Sequence, residues 1–376
     1  MSDKLRVGVI GCGSIAAFHV QGYLACGRYE VVALADLSTE AMADFDTKFI
    51  EHDGYSAKHY TDAAEMLDTE GLDVVSVCVW HRGHAKWTIE AAARKPRAIL
   101  CEKPMAEDMG RADEMLVACR RNGVKLAIGH QRRFLPSYTE ARSLIASGAI
   151  GEVQLMRSIS GAGLLNWGTH LFDMFRYILG DAECRFVMGA VERQTDRHER
   201  TTRIEDVAMG AFEFDGGIDA LILSDFAPEY YQGCMVYGSE GTIDLQTSYY
   251  GLLSRQTGGA MERRAPNGRF FDADHDAFEW HEGPASQADE LADWIEGERD
   301  DYRGDAVNGY RSLEMALAVY ESARLHERIE LPLRTRSAPL DLMIESGHLP
   351  VRYPGKYDIR NIQLRGTNMS SDEDNT

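Results

Sequence analysis

One short turn constrains this chain more than anything else in it. The apolar run Arg6–Ile10 gives way to Gly11-Cys12-Gly13-Ser14-Ile15-Ala16, after which the sequence continues as a helix. A strand that hands over to a helix through small residues leaves unpaired amides at the helix start, and these amides with the helix dipole form an anion site. Gly11 permits the tight turn, Gly13 lets the backbone approach a pyrophosphate, and Ala16 lets helix and strand pack closely. Asp36 ends the next apolar run, at the spacing where an acidic side chain meets the ribose of a dinucleotide. Gly11, Cys12, Gly13, Ser14, Ile15 and Asp36 are therefore the expected cofactor residues. Leu37 and Ser38 bring no arginine for a 2′-phosphate, so NAD is expected rather than NADP.

About ninety residues further on, Glu102, Lys103 and Pro104 follow the apolar run Ala98–Cys101. That strand end delivers an ammonium group to the edge where a nicotinamide would lie. Lysine is scarce here, eight against thirty-two arginines with none between Lys125 and Lys356, so a lysine at this strand end reads as placed rather than incidental. Burial and the positive charge of an oxidised nicotinamide should lower its pKa into a range useful for moving protons.

The layout supports both readings. Leu5–Ile10, Val31–Ala35, Val74–Val79, Ala98–Cys101 and Lys125–Ile128 are short apolar runs separated by helical stretches such as Ala85–Arg94 and Arg111–Arg121. This alternation predicts an α/β fold with a doubly wound parallel sheet over residues 1–130. After Gly129, one helix (Ser137–Ser147) leads to longer alternating runs at Val153–Ser160, Ala208–Phe214, Ile218–Phe226, Met235–Tyr237 and Thr242–Leu245. They predict a second α/β unit over 131–332, with an open, mainly antiparallel sheet and late helices near Ala285–Ile295 and Ala306–Glu327. Residues 333–376 form an extension in which Ser337–Arg360, with prolines at 339, 350 and 354, suits an arm over a neighbouring subunit, and whose last ten residues are expected to be disordered.

Composition narrows the function classes. Sixty acidic against forty basic residues, a net charge of −20, exclude a nucleic-acid binder. The opening stretch has no signal-peptide pattern and its apolar run is too short to span a membrane. Seven cysteines without a CxxC pair fit reduced thiols, so a cytoplasmic protein is expected. His81 and His84 have no third ligand at metal spacing, and no metal site is expected.

A second chemical cluster lies at Asn166-Trp167-Gly168-Thr169-His170-Leu171-Phe172-Asp173. Positions three or four apart share a helix face, so Asn166, His170 and Asp173 are expected to converge. An imidazole between an amide and a carboxylate suits proton transfer near neutral pH. The structural alternative is a helix start with Thr169 as cap and His170 half-exposed. Arg133 either reaches the substrate or sits in a buried ion pair, and Tyr230 with Tyr231 is expected to line the pocket. Trp80 either stacks near the cofactor or packs on the following helix; His84, at a helix start, Glu102, Lys103 and Gln131 complete the expected cofactor residues.

These motifs together resemble the glucose–fructose oxidoreductase/inositol dehydrogenase/rhizopine catabolism family, over about Leu5 to Pro332. The resemblance rests on GCGSIA, CEKPMA at Cys101–Ala106, GHQRRF at Gly129–Phe134, SGAIGEV at Ser147–Val153, GTH with Asp173, and YGSEGT at Tyr237–Thr242, in that order. It implies a Rossmann domain joined to an open-sheet α/β domain that often mediates dimers or tetramers. It also implies NAD(P)-dependent oxidation or reduction of a sugar, cyclitol or related polyol. Lys103 and His170 match the family's catalytic lysine and histidine; Glu102 would orient Lys103, and Pro104 is often cis in such motifs. Where many members have an aspartate four residues before the histidine, this chain has Asn166, which cannot accept a full proton and is expected to hold a substrate hydroxyl. About a dozen residues separate Val153 from Asn166, where relatives commonly carry more, and Trp80 and His81 replace a small residue and proline. Two rival functions stay open: an NAD-retaining glycosidase acting by transient oxidation and elimination, and a non-enzymatic NAD-binding sensor or assembly subunit.

Overall fold

The computed structural model describes residues 4–51, 56–200, 202–226, 233–275 and 278–354. Its first third alternates β1 (Leu5–Ile10), α1 (Ser14–Cys26), β2 (Tyr29–Ala35), α2 (Thr39–Phe49), β3 (Lys58–Tyr60), α3 (Ala63–Thr69), β4 (Val74–Val77), α4 (His81–Ala93), β5 (Ala98–Cys101), α5 (Met109–Asn122) and β6 (Lys125–Ile128). The strands lie in the order β3-β2-β1-β4-β5-β6, and every neighbouring pair is parallel. The order reverses between β1 and β4, which opens a crevice beyond the carboxyl ends of those strands. Helices on both faces explain why β4 and β5 are buried along their whole length and read as unbroken apolar runs.

A 3-10 turn (Gln131–Phe134) and α6 (Pro136–Ala146) lead into β7 (Val153–Ser160), a π-helical turn (Leu164–Gly168) and α7 (Thr169–Ile178). There follow β8 (Cys184–Glu192), a small hairpin of β9 (His198–Glu199) and β10 (Thr202–Arg203), β11 (Val207–Phe214), β12 (Ile218–Ser224), β13 (Cys234–Gly238), β14 (Thr242–Leu245), β15 (Tyr250–Leu253) and β16 (Glu262–Arg264). The chain closes with α8 (Phe278–Glu296), α9 (Ala306–Leu325), β17 (Ile329–Glu330) and α10 (Pro339–Glu345). The second sheet runs β16-β15-β14-β13-β7-β12-β11-β8-β17, antiparallel except where β7 meets β12. This is the expected mainly antiparallel sheet, with β8 and the β9–β10 hairpin added. One face buries Met156, Phe212, Ala220 and Ile222 under helices, while Met188, Met209 and Leu221 are exposed on the other.

Helix α8 lies on the first sheet, not the second. It begins at Phe278, ahead of the expected Ala285, and carries Pro284 inside it. Gly22 on α1 makes the approach possible, because a Cβ there would lie 2.7 Å from the Pro284 carbonyl oxygen. The Tyr29 hydroxyl donates to the Ala288 carbonyl at 2.6 Å, Arg28 pairs with Asp289, Asp293 and Glu296, and Leu291, Ala292 and Ile295 join the core around Val7 and Val9.

Residues 333–354 fold back on their own chain, and the remainder of the expected arm, residues 355–360, lies outside the described residues. Leu340 and Met343 are buried, the Leu333 amide donates to Glu314, and Arg203 pairs with Asp341. The amides of Arg352 and Tyr353 donate to the Gln194 carbonyl at 2.7 and 3.0 Å. Tyr230, Tyr231 and the last ten residues lie outside the described residues. Among the described residues no helix is long and apolar enough to cross a membrane.

Candidate active site

The glycine turn has the geometry its sequence implies. Gly11 adopts φ +94°, and a Cβ there would stand 2.8 Å from the Cys78 carbonyl oxygen at the end of β4. Side chains cap α2, α3 and α5 (Ser38, Asp62 and Asp108), but α1 opens on Gly13 with no side-chain cap. Among the described residues the space over Gly13 is open, with no heavy atom within 4 Å of where a Cβ would sit. An uncapped helix start beneath an open glycine fits a dinucleotide's pyrophosphate. The Asp36 carboxylate accepts from the Cys12 amide at 2.9 Å and the Ser38 amide at 3.0 Å, which ties the turn to the end of β2. Leu37 beside it is 95% exposed. Cys12 is buried and its thiol is pushed up, first by burial and then by the Asp36 charge.

Lys103 leaves the carboxyl end of β5 into the same crevice. The Lys103–Pro104 peptide is cis. The Lys103 Nζ donates to Asn166 Oδ1 at 2.9 Å and to the Asn166 carbonyl at 3.3 Å. A lysine can only donate, so the amide oxygen of Asn166 must face it. Burial pulls the Lys103 ammonium down to about 8, against the opposing pull of the Glu102 charge. Glu102 is itself buried: its Oε1 meets His19 Nε2 at 2.9 Å and its Oε2 accepts from the Lys103 amide at 3.1 Å. Burial opposes its ionisation, but the bond to His19 and the charges of His19 and Lys103 hold the carboxyl below its usual range. His19 continues to Ser76 Oγ at 3.2 Å, which meets the Tyr23 hydroxyl at 2.7 Å.

His170 lies on the other wall, buried, with its ring 5.9 Å from that of His130 and 6.1 Å from that of Trp167. Burial first, then the charges of Lys103, Arg132 and His130, hold its pKa well below the ordinary value, so the ring is neutral at pH 7. Its Nδ1 is buried and has no partner among the described residues. A neutral imidazole beside an ammonium of lowered pKa can pass a proton in either direction.

The expected convergence of Asn166, His170 and Asp173 is only partial. Asn166 turns to Lys103, whereas Asp173 accepts from Arg133 Nε at 2.9 and 2.7 Å and from the Ser312 hydroxyl at 3.1 Å. The cause is the π-helical turn, where the Gly168 amide bonds the Gly163 carbonyl five residues back and breaks the four-residue period. Arg133 also pairs with Asp181, so the ion-pair reading of Arg133 describes the geometry, and both Arg133 and Asp173 are buried. Thr169 does not cap a helix; its hydroxyl donates to the Asn166 carbonyl. His84 is buried with its nitrogens against the Pro104 and Val79 carbonyls at 2.7 and 2.9 Å, which commits its ring to the protein rather than to a cofactor. Gln131 is buried with Oε1 unpartnered among the described residues, and half-buried Trp80 stands at the start of α4.

Two residues escaped the sequence reading. His19 faces the core from α1 between Ala16, Val20 and Tyr23, and a histidine on an apolar helix face is the one available signal that it needs a buried partner. His130 stands between His170 and Asp173, with Nδ1 3.9 Å from Asp173 Oδ2; only its place beside Gln131 in GHQRRF pointed to it. Among the described residues no group of three or more His, Cys, Asp or Glu side chains could hold a metal ion.

The chain is similar to D-apiose dehydrogenase of Paraburkholderia graminis, 25% identical over 92% of this chain and 94% of that one. It is 26% identical to myo-inositol 2-dehydrogenase of Thermotoga maritima over 64% of this chain and 74% of that one. Its fold matches that of levoglucosan dehydrogenase solved with NADH and levoglucosan, at 19% identity and a TM-score of 0.75 over 88% of this chain and all of that one. Residues 5–130 match the family model described as the NAD-binding Rossmann fold, and 154–331 match its C-terminal α/β domain. With both domains matched in order and an NAD-binding turn of the required geometry, the chain belongs to the glucose–fructose oxidoreductase/inositol dehydrogenase/rhizopine catabolism family of NAD-dependent oxidoreductases.

Proposed function

We propose that the protein oxidises, and in reverse reduces, a hydroxyl-bearing carbon of a sugar, cyclitol or related polyol, with Lys103 and His170 handling the proton. The carrying observation is a pair of groups close enough for one charge to act on the other: an ammonium pulled down to about 8 and held by Asn166, and a buried imidazole that this ammonium helps keep neutral, its Nδ1 without a partner among the described residues. Bound NAD supplies the hydride acceptor. Around it, the uncapped start of α1 with Gly11 and Gly13 would hold the pyrophosphate, and Asp36 the adenine-ribose hydroxyls. Lys103 would bond the reacting oxygen of the substrate and take up its proton as the alkoxide character grows, and His170 would carry that proton onward. Asn166 keeps the lysine aimed into the crevice between turnovers. The relatives named for apiose and inositol support a polyol as substrate.

The outer face of the second sheet supports a homo-oligomer. Met188, Met209 and Leu221 are 57%, 45% and 40% exposed, and Ala211 is registered between Met188 and Leu221. A monomer would leave this apolar face in water. Seven unpaired cysteines, six of them buried, suit a reducing cytoplasm.

The test is NADH formation across a panel of sugars, cyclitols and polyols. Stoichiometric NADH with one class establishes the dehydrogenase. Cleavage of a glycoside without net NADH would replace it with the retaining-glycosidase reading, and no turnover on any class would leave a binding role.

A further inference from the structure

Carboxylates meet three consecutive amides at the entrance to the π-helical turn that carries Asn166. Asp225 accepts from the Ala162 amide at 3.0 Å and the Gly163 amide at 3.1 Å, and Glu205 Oε1 accepts from the Leu164 amide at 2.7 Å. Ala162 and Gly163 both have positive φ, +54° and +79°, so this stretch cannot settle into a strand or an α-helix. Its backbone is placed by side chains instead. Asp225 also accepts from the Ser224 hydroxyl at 2.9 Å and pairs with Arg197 at 3.0 Å. Glu205 is wholly buried, and its Oε2 accepts from the Tyr320 hydroxyl of α9 at 2.5 Å. Burial pushes its carboxyl up, while the Tyr320 bond pulls it back.

We propose that Glu205 is a positioning residue for the Lys103–Asn166 pair. By fixing the Leu164 amide it sets where the five-residue turn begins, and hence where the Asn166 amide oxygen stands. The path runs from the Tyr320 hydroxyl through Glu205 to the Leu164 amide, and two residues later to the Asn166 oxygen that receives Lys103 at 2.9 Å. A bond of that length is lost with a displacement of about half an ångström. The inference rests on Lys103 being the group that moves the substrate's proton.

The test joins a pH profile to a double-mutant cycle. Asn166 accepts from the ammonium and so favours the charged lysine; losing that contact lowers the lysine's pKa. Glu205→Leu removes both acceptor oxygens at similar volume, whereas Glu205→Gln keeps one for the Leu164 amide and offers an N–H to the Tyr320 oxygen. Glu205→Leu should lower turnover about ten- to a hundredfold and move the lysine-dependent limb of kcat/KM to lower pH, as Asn166→Ala should. Glu205→Gln should recover most of the loss. In an Asn166→Ala background, Glu205→Leu should add little to either readout, since the contact is already gone. An unmoved pH limb, or a full additive loss in that background, overturns the proposal. Should Glu205→Leu fail to fold, Tyr320→Phe is held to the same limb shift, in the same direction, and an unmoved limb there overturns it equally. Lys103→Ala separates the two levels: if that variant keeps the limb and the rate, the reading of Lys103 has failed, not the role of Glu205.

Discussion

The two walls of the crevice are built by different kinds of bond. On the strand wall, Lys103 inherits its place from the backbone ladder: Cys101 is registered on Val77 and Ile128, and the Glu102 amide donates to the Val77 carbonyl at 3.0 Å. On the opposite wall, β7 has ended at Ser160, and the turn before His170 is held by Glu205 and Asp225, forty or more residues further along the chain. A residue at a parallel strand's end is positioned by bonds that almost any sequence can make. One on an irregular turn depends on particular side chains elsewhere.

Substitutions at four positions, with His170→Ala as a reference, test that contrast. The largest effect is expected at His19, the side-chain strut within the strand wall. His19→Leu should leave the buried Glu102 carboxylate without its partner and destabilise the protein by about 3 kcal/mol, read from denaturant unfolding. A loss under about 1 kcal/mol would mean that the ladder holds this wall unaided. Lys103→Ala should next lower turnover about a hundredfold or more while calorimetry still shows NAD binding. Near-normal turnover would remove Lys103 from the chemistry.

On the turn wall the effects should be smaller and should carry a pH signature. Oxidation needs the uncharged amine, so its rate should rise with pH through about 8, the range to which burial brings Lys103; reduction needs the ammonium and should fall through the same range. Asn166→Ala should lower turnover by roughly tenfold or somewhat more, less than His170→Ala, and move the limb to lower pH. Asn166→Asp should move it to higher pH, because a carboxylate against the ammonium favours the charged form. A limb that ignores both variants would show that the Lys103–Asn166 contact does not exist during turnover. The smallest effect is expected at Asp36, where Asp36→Ala should shift the ratio of NAD to NADP affinity by about tenfold in calorimetric titrations. An unchanged ratio would leave Asp36 only the task of holding the Cys12 amide.

Legibility in the sequence divides along the same line. The places of the glycine turn, Asp36 and Lys103 in the fold were readable because a covered parallel sheet writes itself as short apolar runs, and these residues sit where those runs stop. Strand β8 was missed because its outward residues Met188 and Ala190 are themselves apolar, which erases the two-residue alternation. The Asn166–His170–Asp173 face assumed a regular helix; the π-helical turn rotated Asn166 onto Lys103 and left Asp173 to Arg133. Glu205 and His19 carry no spacing signal toward the residues they serve, since their partners come close only once the chain has folded. The run Ala285–Ile295 reads as a helix, but no local pattern says against which sheet it packs.

That last helix also bears on how the protein is made. When a ribosome has released residues 1–130, every strand of the parallel sheet has been delivered, but not the helix that covers Gly22, Tyr29 and the α1 flank. Nearly half the chain must still emerge before Leu291, Ala292 and Ile295 can close that surface. The nucleotide-binding domain cannot cover that surface in the order of synthesis; it waits, partly uncovered, for a segment that follows the second sheet, an interval in which exposed apolar surface favours misassembly.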